Sequence, residues 1–180
     1  LLLEFLKCVG FDAKYISGKV LEDGNEFDHV LIIVSINTED KWLVDVGFGD
    51  NFLEPIKFEE NTIQEDIKGN FKIVKCEDGK YQILKSLNGV EFSIEYTFTL
   101  QERKLYDLKE RCNYFETSHN SRFRRNSMCS LEKENGRVSL KEDKLIITEY
   151  GKREEKKVNN ESEFLSYLRQ IFNIKLDKSS

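Results

Sequence analysis

The spacing of apolar residues changes along the chain, and the changes mark its elements. Leu1-Leu2-Leu3-Glu4-Phe5-Leu6-Lys7-Cys8-Val9 repeats with a helical period, and Gly10 is its stop. Short β-branched and aromatic runs follow. They predict strands over 13–21, 29–36, 42–46, 56–58, 71–76, 80–87 and 90–100. Glu22-Asp23-Gly24, the turn at 37–41, Gly47-Phe48-Gly49, Pro55, Glu77-Asp78-Gly79 and Leu87-Asn88-Gly89 separate them. A helical pattern covers 105–116, and 118–126 reads as a polar, Arg-rich loop. A second meander is expected over 128–133, 137–141 and 144–150, with Glu134-Asn135-Gly136 as a turn. The mixed-sign run 152–157 reads as an exposed turn. The last helix, 161–172, carries Phe164, Leu165, Leu168, Ile171 and Phe172 on one face, with Asn159 or Asn160 as its cap. Helix, many strands, helix, strands and helix make an α+β order, not alternating βαβ.

The first helix has no N-cap residue and no polar lead-in. A helix that starts at full hydrophobicity is expected to have lost its first turns, so the chain reads as a piece of a longer protein. Its apolar face would then need a partner or favour self-association, and marginal stability is expected. Within the 180 residues, 13 Phe and 7 Tyr supply a core, and a net charge of -5 argues against a nucleic-acid binder. No apolar run is long enough to cross a bilayer as a helix. Cys8, Cys76, Cys112 and Cys129 form no Cys-x-x-Cys pair and have no histidine near any two of them, which argues against a metal site. Free thiols and no visible signal peptide point to the cytoplasm.

The candidate chemistry starts from one of two histidines. His29 opens an apolar strand, and the next strand ends on Asp45 just before Gly47-Phe48-Gly49. The short turn between them makes the strands antiparallel, with a midpoint at Asn37, so His29 and Asp45 should lie within a residue or two of register. A buried Asp holding a His is the base and orienter of a nucleophilic triad. The same pair also reads as a structural hydrogen bond in a sheet. Two glycines flanking an aromatic straight after the carboxylate suit a backbone that approaches a ligand closely, which favours the first reading.

His29-Val30-Leu31-Ile32-Ile33-Val34 followed by Trp42-Leu43-Val44-Asp45-Val46-Gly47-Phe48-Gly49 resembles the arylamine N-acetyltransferase family. The likeness extends over nearly the whole chain. Leu1 to Phe11 is similar to the helix after that family's active cysteine. Pro55-Ile56, Asn113-Tyr114, Ser118-His119-Asn120-Ser121-Arg122-Phe123, Gly136-Arg137 before Leu140, and Phe172-Asn173-Ile174 resemble further family stretches. His119 stands where Pro is usual.

The resemblance implies a mostly antiparallel β-barrel domain at 11–105, then a lid-like α/β domain with a C-terminal helix at 106–180. Residues 1–10 would be the last helix of a cysteine-protease-like N-terminal bundle that is otherwise missing. It also implies ping-pong transfer of acetyl from acetyl-CoA to an arylamine or hydrazine by a Cys-His-Asp triad, with no metal. His29 would be the base and Asp45 its orienter, and Gly47, Phe48 and Gly49 would line the acceptor site. Asp28 would lie near the pantetheine of CoA, although as an exposed loop carboxylate it also reads as a surface group. Ser121 and Phe123, with Arg122, Arg124 and Arg125, could hold the CoA phosphates and adenine, or form an ordinary solvated basic loop. The family's nucleophile sits in an Arg-Gly-Gly-x-Cys motif just before the helix that begins here at Leu1, and that motif is absent from these residues. Cys8 lies about two helical turns too far on, at about 1.5 Å per residue, and the other three cysteines read as small buried hydrophobes. The chain alone is therefore expected to be inactive. Two further readings stay open: an inactive homologue that binds CoA or a protein partner, and a related amide synthase with a different acceptor.

Overall fold

The computed structural model describes residues 1–20 and 24–176. The expected end of the first strand at Leu21 and the turn residues Glu22 and Asp23 lie outside the described residues. The chain divides into two compact units, Leu1–Arg111 and the part from Cys112 on.

The first unit opens with α1 (Leu2–Cys8). Gly10 terminates it at a φ of +96°. The Gly10 N–H donates to Lys7 and the Phe11 N–H to Leu6. This paired closure suits a glycine because a left-handed residue is required there. Eight strands follow: β1 (Asp12–Lys19), β2 (His29–Ser35), β3 (Lys41–Val44), β4 (Ile56–Lys57), β5 (Gln64–Asp66), β6 (Gly69–Lys75), β7 (Tyr81–Ser86) and β8 (Ser93–Phe98). They form one antiparallel sheet in the order β4-β3-β2-β1-β8-β7-β6-β5.

The sheet curls until its edges meet. Beyond β4, Glu60 bridges Ile73 of β6 in parallel, and the Asn61 N–H donates to Ile73. The Gln64 side-chain amide both accepts from the Lys57 N–H and donates to the Lys57 carbonyl. It satisfies the edge of β4 as a backbone would, and the result is a nearly closed barrel.

Ile16, Leu31, Ile33, Leu43, Phe71, Ile73, Ile83, Tyr96 and Phe98 fill the interior. The opposite face of β2 is also covered. Ile32 and Val34 pack with Ala13 and with Leu3 of α1. Burial on both faces explains why β2 reads as an unbroken apolar run instead of an alternation. Between β7 and β8 the register shifts by one residue: Ile83 faces Tyr96, but Leu84 faces Ile94. The extra residue is Glu95. This bulge leaves Ile94 exposed while Tyr96 and Phe98 stay inside.

In the second unit, β9 (Met128–Lys133), β10 (Gly136–Lys141), β11 (Lys144–Glu149) and β12 (Lys152–Lys157) form a meander. The helix α4 (Glu161–Phe172) lays Phe164, Leu165, Leu168, Ile171 and Phe172 onto Val138, Leu140 and Leu145. Its cap is Asn160, whose Oδ1 accepts from the Glu163 N–H at 2.9 Å. The run 152–157, expected as a turn, is instead the edge strand β12. Tyr150 and Gly151 make the tight turn before it, both at positive φ. Glu155 pairs with Lys144 and Arg153, so an all-charged segment holds its place in the sheet and blunts its open edge.

The helix expected over 105–116 is a 3-10 turn (Leu105–Leu108) leading into α2 (Lys109–Thr117). The Arg-rich loop contains a short helix, α3 (Arg122–Arg125). No helix among the described residues is long and apolar enough to cross a membrane.

Candidate active site

His29 is the first residue of β2 and faces Gly18 of β1. In the hairpin of β2 and β3, Ile32 is opposite Val44 and Ser35 is opposite Lys41. One further step sets Leu31 opposite Asp45, so His29 and Asp45 are diagonal neighbours on the inner face. Both are buried. His29 Nε2 and Asp45 Oδ2 are 2.7 Å apart. A carboxylate only accepts, so Nε2 carries a hydrogen, and in the neutral form of the ring Nδ1 keeps its lone pair.

Asp45 is held from four sides. Its Oδ2 also accepts from the Tyr96 hydroxyl at 2.9 Å. Its Oδ1 accepts the backbone N–H groups of Gly47 and Phe48 at 3.0 and 3.1 Å. Burial by itself would raise the Asp45 pKa. The hydrogen bond and charge of His29, then the bonds from Tyr96 and Gly47, outweigh it and hold the carboxyl below its ordinary value. Tyr96 is displaced the opposite way. Complete burial first, and then the adjacent Asp45 charge, push its phenol well above the usual range, so it stays a donor. Asn51 Nδ2 donates to the Tyr96 oxygen at 3.3 Å.

Tyr96 and Asn51 were not among the residues expected at the site. The one sequence signal for Tyr96 is its apolar alternation with Phe98. Its position depends on β1 pairing with β8, which strand spacing does not reveal.

Phe48 packs edge-on against His29, with ring centroids 5.3 Å apart, and lies 5.4 Å from Tyr96. It is half-buried, while Gly47 and Gly49 are exposed. A Cβ on Gly47 would lie 3.2 Å from Cε1 and 3.8 Å from Nδ1 of His29. Glycine at 47 therefore keeps the open edge of the imidazole clear. Gly47→Ala should cost about 1–3 kcal/mol, because the added methyl crowds the buried His29 ring. It should cut turnover about 10-fold or more by displacing the base. Parallel thermal melts and steady-state kinetics check both halves.

Asp28 proves not to be an exposed loop carboxylate. Its side chain is 9% exposed and ion-paired with Arg111. In the second unit, Ser121 is buried, with its hydroxyl donating to the Phe115 carbonyl at 2.9 Å. Phe123 is exposed and packs edge-on against Phe115. Arg122 stacks on Phe123, and Arg124 donates to the Thr117 carbonyl.

The four cysteines are free thiols. Glu116 holds the Cys112 thiol above its ordinary pKa, and burial does the same for Cys129. Cys8 is exposed at the last residue of α1, and Cys76 closes the hairpin between β6 and β7. None is hydrogen-bonded to His29 Nδ1 among the described residues. That nitrogen is the one a general base would use.

A family model described as N-acetyltransferase matches residues 1–180. Proansamycin X synthase of Amycolatopsis mediterranei is 26% identical over 171 residues, covering 91% of this chain and 65% of its own length. An uncharacterised acetyltransferase of Bacillus subtilis is 32% identical over 154 residues, covering 81% of this chain and 59% of its own. The chain thus spans less than two thirds of the length of these two relatives. The arylamine N-acetyltransferase of Mycobacterium marinum, solved in complex with CoA, superposes with a TM-score of 0.86 at 21% identity, over 97% of this chain and 66% of the other. Likeness at that identity establishes the shared fold, and the match across all 180 residues establishes the relationship: the chain belongs to the arylamine N-acetyltransferase family.

Proposed function

We infer that this chain carries the base and orienter of an acetyl-CoA:arylamine N-acetyltransferase working in the cytoplasm by a ping-pong Cys-His-Asp mechanism. The observation that carries this reading is the aim of His29. Asp45 fixes the proton on Nε2, and Nδ1 is open beside Gly47.

In the first half-reaction His29 Nδ1 takes the proton of a cysteine thiol. The thiolate adds to the acetyl carbonyl, and the thioester C–S bond breaks. The CoA thiolate leaves and recovers the proton from the imidazolium. In the second half-reaction the amine of an arylamine or hydrazine adds to the acetyl-cysteine, His29 removes a proton from it, and the cysteine leaves as thiolate. The ionised Asp45 stabilises the imidazolium in both halves. Phe48 and the two glycines would border the acceptor. None of the four cysteines in these residues is hydrogen-bonded to Nδ1, so on this reading the nucleophile comes from outside them and the 180 residues alone would not turn over.

The likeness to proansamycin X synthase keeps one second reading in play, a related amide synthase that uses the same triad with a different acceptor.

The test is to isolate the protein from its source and measure its intact mass against 21.2 kDa. The protein is then incubated with acetyl-CoA alone. A heavier protein that gains one acetyl group on cysteine, and loses it to an added arylamine, is the expected result. Acetylation without transfer to any arylamine or hydrazine supports the amide synthase. CoA binding with no acetyl-cysteine overturns the catalytic reading and leaves an inactive CoA-binding homologue.

A further inference from the structure

The residues just before His29 form a tight turn with its own internal bonds. The Asp28 N–H donates to the Asn25 carbonyl at 3.0 Å. The Asn25 N–H donates to Asp28 Oδ2 at 2.8 Å, and the Phe27 N–H donates to Asn25 Oδ1 at 2.9 Å. Two arginines from the segment after β8 grip this turn. Arg111 Nε donates to Asp28 Oδ1 at 2.6 Å. Arg103 Nη2 is 3.2 Å from Glu26 Oε2, its guanidinium lies over Phe27 at 4.7 Å, and its Nε donates to Ser17 Oγ at 3.0 Å. Ser17 lies on β1 next to Gly18, the residue opposite His29.

The Arg103 side chain is 9% exposed and that of Arg111 24%. With Asp28 itself 9% exposed, the Arg111–Asp28 pair is partly desolvated and therefore stronger and more directional than a surface pair, whereas Glu26 is 59% exposed and Arg103 holds the turn chiefly through Ser17 and Phe27. A turn that needed only to connect β1 to β2 would not need both.

We propose that Arg111 and Asp28, seconded by Arg103 and Glu26, are positioning residues that fix the entry of β2 and hence the aim of the His29 imidazole. The proposal rests on the reading of His29 as the base. It also gives Asp28 a role other than contact with CoA. His29 is the first residue of its strand, so this turn holds its backbone on the N-terminal side, next to the pairing with Gly18. A shift of a few tenths of an ångström there would lengthen the 2.7 Å bond to Asp45 and swing Nδ1.

The test uses the full chain with its histidines labelled with nitrogen-15. In the native protein the ring shifts should report a single tautomer protonated at Nε2, with a downfield Nε2–H resonance from the short bond to Asp45. Arg111→Met should weaken or broaden that resonance and mix the tautomers, and Arg111→Lys should restore it in part. Asp28→Asn removes the same pair from the other side. It serves if Arg111→Met loses its cooperative unfolding transition. In the active protein, Asp28→Asn should lower kcat about 10-fold to 100-fold, with little change in the KM for acetyl-CoA.

An unchanged His29 resonance in folded Arg111→Met overturns the proposal. So does an Asp28→Asn variant whose only defect is a raised KM for acetyl-CoA, since Asp28 would then be a CoA ligand. An intact native resonance in a protein that never forms acetyl-cysteine would overturn the catalytic reading and leave the clamp standing.

Discussion

Asp45→Asn should cut acetyl transfer about 10³-fold to 10⁴-fold while the barrel stays folded. The direction of the effect follows from the four hydrogen bonds. The oxygen facing the Gly47 and Phe48 N–H groups must remain an acceptor. An asparagine at 45 therefore turns its NH2 toward His29 and Tyr96. His29 Nε2 would then have to accept, and the ring proton would move to Nδ1. The base would be occupied at the nitrogen it needs. His29→Ala should lose as much, and the double variant little more than either alone, because the two residues act as one unit. Losses that multiply in the double variant would show that they act independently.

The same carboxyl ties stability to pH. Its folded pKa lies below the ordinary value. Its contribution is therefore present above the ordinary carboxylate range and disappears as pH falls through the lowered folded value. The melting temperature of the native chain should drop more steeply on acidification than that of Asp45→Asn. Parallel slopes would mean that other carboxyls govern acid sensitivity.

Why His29 and Asp45 were legible, and Tyr96 was not, comes down to sequence separation. A short hairpin relates residues by arithmetic. The midpoint of His29 and Asp45 is Asn37, and the hairpin centres one position later, where the Ile36 N–H closes the turn on the Asp40 carbonyl. The two-residue offset is within the expected register and keeps Asp45 on the inner face. Tyr96 reaches the same carboxylate through β1 and β8, where Gly18 meets Phe98 across 80 positions. No local pattern encodes that pairing.

Two strands were missed for a different reason. Gln64-Glu65-Asp66 and the charged run at 152–157 have no apolar face to betray them. Side-chain amide bonds and ion pairs hold them at sheet edges. The turn into β12 escaped notice because Tyr150 takes the first positive-φ position, where Asn or Asp is the usual signal. Asp28 was misjudged as exposed because its partner, Arg111, lies 83 residues away.

Phe71→Ala should cost the barrel about 3–5 kcal/mol of stability. Phe71 sits on β6 with no exposed surface. It packs edge-on against Phe52 at 5.6 Å and lies under the Lys85 ammonium, which in turn donates to the Asp50 carbonyl. Removing the ring therefore opens a cavity in the barrel and loosens the segment that carries Gly47, Phe48 and Asn51. A loss of that size is a large part of the total stability of a small domain.

Trp42, the single tryptophan, lies on β3 of the same unit and reports its unfolding. Its urea midpoint should fall by more than about 1 M with an unchanged slope. Phe123→Ala provides the contrast, since that ring is 58% exposed and in the other unit. It should leave the Trp42 midpoint where it was. If Phe71→Ala moved the midpoint no more than Phe123→Ala does, the barrel interior would not be what holds the first unit together. The fixed geometry argued for His29 and Asp45 would then lose its foundation, because both side chains project from the inner face of that barrel.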